Sequence, residues 1–167
     1  QEYKDYIEIT YNYFVDDRLR KAEASLDCAI EFIKTGQHGK GLEYIELSMA
    51  EYDKSQKEKY AVFLIKNIEV LIQFGMYDNA SVYIETALDL AIQIDKPRLI
   101  ERAYYLKSKY LIKLGNLFSA EMYLNLSLDF FKKSASLKEM YDRYMEMGEF
   151  YYKMENVSDA VKYFTLA

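Results

Sequence analysis

The chain is expected to be all-α, built from antiparallel helix pairs, and three observations predict this. Breakers are scarce: Pro occurs once, at Pro97, and Gly only six times in 167 residues, so long helices are the economical way to fold it. A block of small and large residues recurs in register about every forty positions, the mark of a repeat architecture. Apolar residues also return at the 3-4 spacing of a buried helical stripe, as in Leu64, Ile68, Leu71 and Ile72 or in Tyr104, Leu111 and Leu114.

The repeat is read from its turns. One copy runs Phe74-Gly75-Met76-Tyr77-Asp78-Asn79-Ala80, then Ile84 and Ala87-Leu88. The next runs Leu114-Gly115-Asn116-Leu117-Phe118-Ser119-Ala120, then Leu124 and Ser127-Leu128. A third runs Met154-Glu155-Asn156-Val157-Ser158-Asp159-Ala160, then Phe164 and Ala167, and a weaker one stands ahead of them at Thr35-Gly36-Gln37-His38-Gly39-Lys40-Gly41, Ile45 and Ser48-Met49. The turn positions 36, 75, 115 and 155 are spaced by 39, 40 and 40 residues. Gly at the turn accepts the left-handed backbone that ends a helix. The small residue five positions later (Gly41, Ala80, Ala120, Ala160) lets two helices approach, and the large residue four further on fills the space beyond it on the same face.

Helix ends follow the same partition. A lead helix is expected at 2–15, then pairs at 18–35/38–54, 57–74/77–94, 97–114/117–133 and 137–154/157–167. Asp16-Asp17 suits an N-cap for the second helix. Ser55-x-x-Glu58 and Ser136-x-x-Glu139 read as capping boxes, and Pro97 after Asp95 suits the first turn of a helix. The chain stops inside what should be a final helix, and its aromatic-rich start (Tyr3, Tyr6, Ile7, Tyr11, Phe14) resembles the second half of an earlier repeat. Neither end carries a polar cap of the kind a solenoid needs, so the chain reads as a single array, 1–167, taken from a longer protein.

The turn-and-small-residue pattern over roughly residues 18–167 resembles the tetratricopeptide repeat in a long form, about 40 residues instead of 34. That long form is similar to arrays in kinesin light chains, cell-polarity adaptors and bacterial quorum-sensing peptide receptors. The resemblance implies a right-handed α-solenoid of antiparallel helix pairs. The Trp often found early in the first helix is absent; Ser25, Leu64, Tyr104 and Tyr144 stand in its place.

Composition narrows the function. The net charge of −5 counts against nucleic acid as a partner, and an RNA-binding helical repeat would also need a shorter period. No apolar run approaches the roughly 18 residues of a membrane span, and nothing at the start resembles a signal peptide. The single Cys28 has no internal disulfide partner, so a reducing cytoplasm is the default. The Asn-x-Ser matches at Asn79, Asn125 and Asn156 are chance ones, the first two inside expected helices.

Catalytic chemistry finds no foothold. His38, the lone histidine, sits at a turn with no second ligand near it in sequence. Cys28 lies on the inner face of the first pair beside Ala29 and Phe32, where a packed thiol is expected. Gly36, Gly39 and Gly41 lack the Lys-Ser/Thr and the preceding strand of a phosphate loop. No enzyme activity, cofactor or metal is expected.

In tetratricopeptide arrays the first helices of successive pairs line a concave surface that binds ligands. The resemblance then places a peptide-binding groove on Lys66, Glu69 and Gln73, on Arg102, Tyr105, Lys109 and Lys113, and on Asp142, Glu146, Glu149 and Tyr152. Neighbouring positions are Val62, Ile65 and Ile72, then Leu106 and Ile112, then Met145 and Lys153. The third repeat is locally basic and the fourth acidic, with Tyr105, Ile112, Met145 and Tyr152 as apolar anchors, a mixture that suits a protein or peptide segment. The positions that clamp chaperone tails do not match, since Ile30, Glu69, Lys109 and Glu149 stand where Asn is needed. Two functions remain open: an interaction scaffold, or the peptide-sensing domain of a bacterial transcription regulator or signalling enzyme. The sequence leaves the oligomeric state open.

Overall fold

The computed structural model describes residues 18–52, 54–133 and 135–167. The expected lead helix at 2–15, and Asp16 with Asp17, lie outside them. Eight α-helices and no strand occur among the described residues: α1 Arg18–Lys34, α2 His38–Glu51, α3 Lys57–Gln73, α4 Tyr77–Ile94, α5 Pro97–Lys113, α6 Leu117–Phe131, α7 Leu137–Lys153 and α8 Val157–Leu166. Their order and bounds follow the expected pairs to within a few residues. No helix among the described residues is long and apolar enough to cross a membrane.

Four of the inter-helix turns share one geometry. Gly36, Gly75 and Gly115 have φ of 79°, 77° and 76°, and Glu155 takes the same place at 60°. In each turn two amides reach back to close the helix. The Gly75 amide donates to Ile72 O at 3.2 Å and the Met76 amide to Leu71 O at 2.8 Å. The equivalent pairs are Gly36 to Ile33 and Gln37 to Phe32, Gly115 to Ile112 and Asn116 to Leu111, and Glu155 to Tyr152 and Asn156 to Tyr151. These are the bonds of a Schellman closure, which satisfies the last carbonyls and fixes where the next helix starts. The next helix is then capped by the turn itself: Asn116 accepts from the Ser119 amide, and Asn156 from the Asp159 amide.

One capping expectation holds and one shifts. Ser136 and Glu139 form the reciprocal capping box of α7. The N-cap of α3 is Gln56 rather than Ser55, without a side-chain cap bond. Pro97 opens α5 as expected, after Asp95 at φ 55°.

Contacts cluster in two compact units, one reaching Leu90 and the other running Ala91–Ala167, where the sequence suggests one array. In the first, α1 packs on α2. Gly41 faces α1 so closely that a Cβ there would collide with Ile33 Cγ1. Cys28 and Phe32 are buried together with Tyr44 stacked on the Phe32 ring at 5.2 Å. Burial pushes the Cys28 thiol up to about 11, with Asp27 adding to it, as suits a packed thiol. In α3 ten of 17 residues are buried, so this helix is covered on more than one side. Its one buried amide, Asn67, donates to Phe63 O at 2.9 Å and lies 3.2 Å from the Ser48 hydroxyl of α2.

In the second unit α5 packs on α6 and α7 on α8. Ala120, Leu124, Leu128, Met147, Phe150, Tyr151, Ala160 and Tyr163 form one core with Tyr105. Tyr151 and Tyr163 stack nearly parallel, 5.4 Å apart. Tyr104 and Tyr144, standing where Trp is common, lean on the second helices of their pairs, against Tyr123 at 5.9 Å and Tyr163 at 6.1 Å. Isolated helices of this length are marginal in water. Burial, about 1.5–3 kcal/mol for each large side chain, therefore holds them. Leu114, expected in the stripe of α5, is instead exposed at that helix's C-cap.

Glu155 is the one turn residue of the four that lacks the freedom of glycine. Glu155→Gly is expected to raise stability by roughly 0.5–1 kcal/mol, the left-handed strain removed outweighing the added freedom of the unfolded chain. Urea denaturation of the variant beside the parent checks it; a loss of stability contradicts the equivalence of the four turns.

Candidate functional site

Each unit presents first helices of its own, α1 and α3 in one and α5 and α7 in the other. In the first unit a trough runs between α1 and α3. Its two adjoining parts have volumes of about 670 and 450 Å³ and share Glu23, Phe63 and Lys66. Glu23, Leu26, Asp27 and Ile30 of α1 supply one wall, at 3-4 spacing. Val62, Phe63, Lys66, Glu69, Val70 and Gln73 of α3 supply the other. Lys66, Glu69 and Gln73, expected in the groove, thus lie together in this trough. Ile65 and Ile72, expected beside them, are buried instead; because α3 is covered on several sides, its apolar residues lining the trough are Val62, Phe63 and Val70. The α1 wall, with Glu23 and Asp27, was not foreseen, although its 23-26-27-30 spacing is visible in the sequence.

In the second unit the expected surface residues of α5 and α7 meet one another. Arg98 Nη2 bonds Glu139 Oε1 at 3.1 Å, and Lys109 Nζ lies 3.6 Å from Glu146 Oε1. Tyr105, expected as an exposed anchor, is buried at 5% exposure. Its hydroxyl donates to the Glu146 carboxylate, 2.7 and 2.6 Å from the two oxygens. Burial raises the Tyr105 phenol far above its ordinary value, and the Glu146 hydrogen bond and charge add to the rise. Leu106 is buried as well, while Ile112 and Met145 are half-buried. Lys113, Asp142, Glu149, Tyr152 and Lys153 remain exposed, and Arg102 is half-buried with its guanidinium 5.4 Å from the Tyr105 ring centre.

Arg143 organises this face, and sequence reasoning passed over it. Its side chain is 6% exposed. Nη2 donates to Glu101 Oε1 at 2.8 Å and Nη1 to Ser127 Oγ at 3.0 Å. The guanidinium lies between two rings, 3.7 Å from the Tyr105 centre and 4.4 Å from that of Phe131. Nε is 3.6 Å from Glu146 Oε2. One side chain thereby ties α5, α6 and α7 together. Burial pushes the Glu101 carboxyl up, and the Arg143 charge and hydrogen bond oppose that rise. A usable signal existed: the partners Arg98/Glu139, Glu101/Arg143 and Tyr105/Glu146 are 41, 42 and 41 residues apart, close to one repeat length.

Polar contacts also join α6 to α7. Tyr151 donates to Glu121 Oε1 at 2.9 Å and accepts from Asn125. Among the described residues no group of three His, Cys, Asp or Glu side chains is placed to hold a metal ion. His38 is exposed in the first turn of α2.

No model of a known protein family matches the chain, and comparison with the curated proteins finds no match.

Arg143→Ala leaves Glu101 buried without its partner, which is expected to destabilise the chain by about 3–5 kcal/mol at pH 7. Glu101 already binds its proton more tightly folded than unfolded. Without Arg143 that affinity rises further, so the carboxyl's contribution is fullest below its unfolded value and lost as pH rises. The variant's deficit should therefore shrink as pH falls toward about 4.3, the unfolded Glu value. Urea titrations at pH 7 and pH 4.5 check both the size and the sign.

Proposed function

We propose that this chain binds a peptide segment of a partner protein on the face made by its first helices. The single observation supporting the proposal most is the trough between α1 and α3. Its apolar floor (Leu26, Ile30, Phe63, Val70) lies between charged edges (Glu23, Asp27, Lys66, Glu69). Such a surface offers pockets for a few apolar side chains and charges that fix register, as peptide grooves do. The repeats are of the tetratricopeptide type in its long form, and the pairs stack as a right-handed α-solenoid. That part of the proposal draws support from four equivalent Schellman turns and from small residues buried at Gly41, Ala80, Ala120 and Ala160. Lys66 is exposed on the trough's edge, where its ammonium can meet a ligand.

Selection of binders from a displayed random peptide library, followed by affinity measurement, tests the proposal. Lys66→Glu is expected to weaken the selected peptides about tenfold, or roughly 1.4 kcal/mol, while the thermal melt stays that of the parent. Binders unaffected by Lys66→Glu, or a library that yields none, would overturn it.

A further inference from the structure

Glu23 and Asp27 stand four residues apart on the α1 wall of the trough, and both are exposed. Side chains at that spacing share one face of a helix, about 5–6 Å apart, where like charges repel. The two lysines of α1 are committed elsewhere: Lys21 reaches across to Glu51 of α2 at 2.9 Å, and Lys34 bonds Glu31 at 2.8 Å. Around the whole trough four carboxylates (Glu23, Asp27, Glu58, Glu69) outnumber two ammoniums (Lys59, Lys66). Glu58 and Glu69 already have partners, as does Arg20 one turn ahead of Glu23; Glu23 and Asp27 line the trough. The surface beside these two acids is apolar. Phe63, stacked on Tyr52 at 4.3 Å, lines both parts of the trough together with Glu23, and Leu26 and Ile30 line the part that holds Asp27. An acid beside an apolar surface matches one kind of side chain well: the stem of a Lys or Arg lies along the apolar part while its cation reaches the polar edge.

We propose that the segment bound in this trough carries two basic residues, Lys or Arg, seated on Glu23 and Asp27 with their stems across Phe63, Leu26 and Ile30. The inference rests on the peptide-binding proposal and names the chemistry of its ligand. Cations on this wall relieve the repulsion between the two carboxylates. A neutral apolar segment would cover the same floor but draw water away from both acids without replacing its hydrogen bonds, which is costly. Lys66, on the opposite wall, takes an acidic residue of the same segment. The segment is therefore mixed in charge with a basic edge, and that edge fixes which way it lies against α1.

Two displayed random peptide libraries test this on the intact chain, one with every residue type and one lacking Lys and Arg. The first is expected to yield binders with two basic residues, and the second only binders about tenfold weaker. Glu23→Gln combined with Asp27→Asn should weaken the first set about tenfold, roughly threefold for each exposed ion pair. That loss should shrink as salt is raised. The same variant should melt at or above the parent's temperature, because two like charges one turn apart are gone. Glu23→Lys combined with Asp27→Lys should reverse the preference and select acidic segments. Equal affinity from the two libraries overturns the basic-edge inference and leaves the peptide-binding proposal standing. So do binders that weaken with Lys66→Glu but keep full affinity for the charge-neutral variant. Binders from neither library overturn both.

Discussion

Helix closure through a left-handed residue is the constraint on which the rest of the structure depends. A helix that ends with Gly36, Gly75 or Gly115 at positive φ returns two amides to its own last turn. The chain leaves that turn in a fixed direction, and the next helix begins two residues later. Only then does the small residue five positions on meet the preceding helix. Gly41 shows how tight that meeting is, since even a methyl group would strike Ile33. Turn and small residue are thus one device: the first aims the helix, the second lets it arrive.

Much of this was legible because backbone geometry restricts residue choice. Glycines at 36, 75 and 115, and small residues at 41, 80, 120 and 160, are requirements that few side chains meet. Glu155 shows the limit, adopting φ 60° because the rest of the turn enforces it. Legibility fell where several helices compete for one side chain. The groove register implied by the tetratricopeptide resemblance put Tyr105 among the surface anchors, but α5 is approached by α6 and α7, and the ring is buried between them. Ile65 and Ile72 failed in the same way on α3, a helix covered on more than one side. The cap of α3 is Gln56 where Ser55 was expected, a shift within the one or two residues to which a helix end is defined.

Charge was legible in amount and not in arrangement. A basic third repeat and an acidic fourth were visible, and the structure joins them across α5 and α7 through Arg98–Glu139, Lys109–Glu146 and Arg143–Glu101. The exposed pairs are each worth about 0–1 kcal/mol and yield readily to a ligand. The buried pair is different in kind. Desolvating both ions offsets most of their attraction, so the Arg143–Glu101 pair contributes little more than an apolar pair of the same size would, although losing one partner alone strands the other; its main effect is to fix how three helices meet. This face therefore combines a rigid polar floor with a displaceable rim, whereas the trough of the first unit has an apolar floor between charges.

The most direct measurement is amide hydrogen exchange at Gln37, Met76, Asn116 and Asn156, whose N–H groups close the four turns onto Phe32, Leu71, Leu111 and Tyr151. All four are expected to be protected to a degree comparable with the buried helices they terminate. Exchange at the rate of unstructured chain at any of them would contradict the repeat that orders the whole fold.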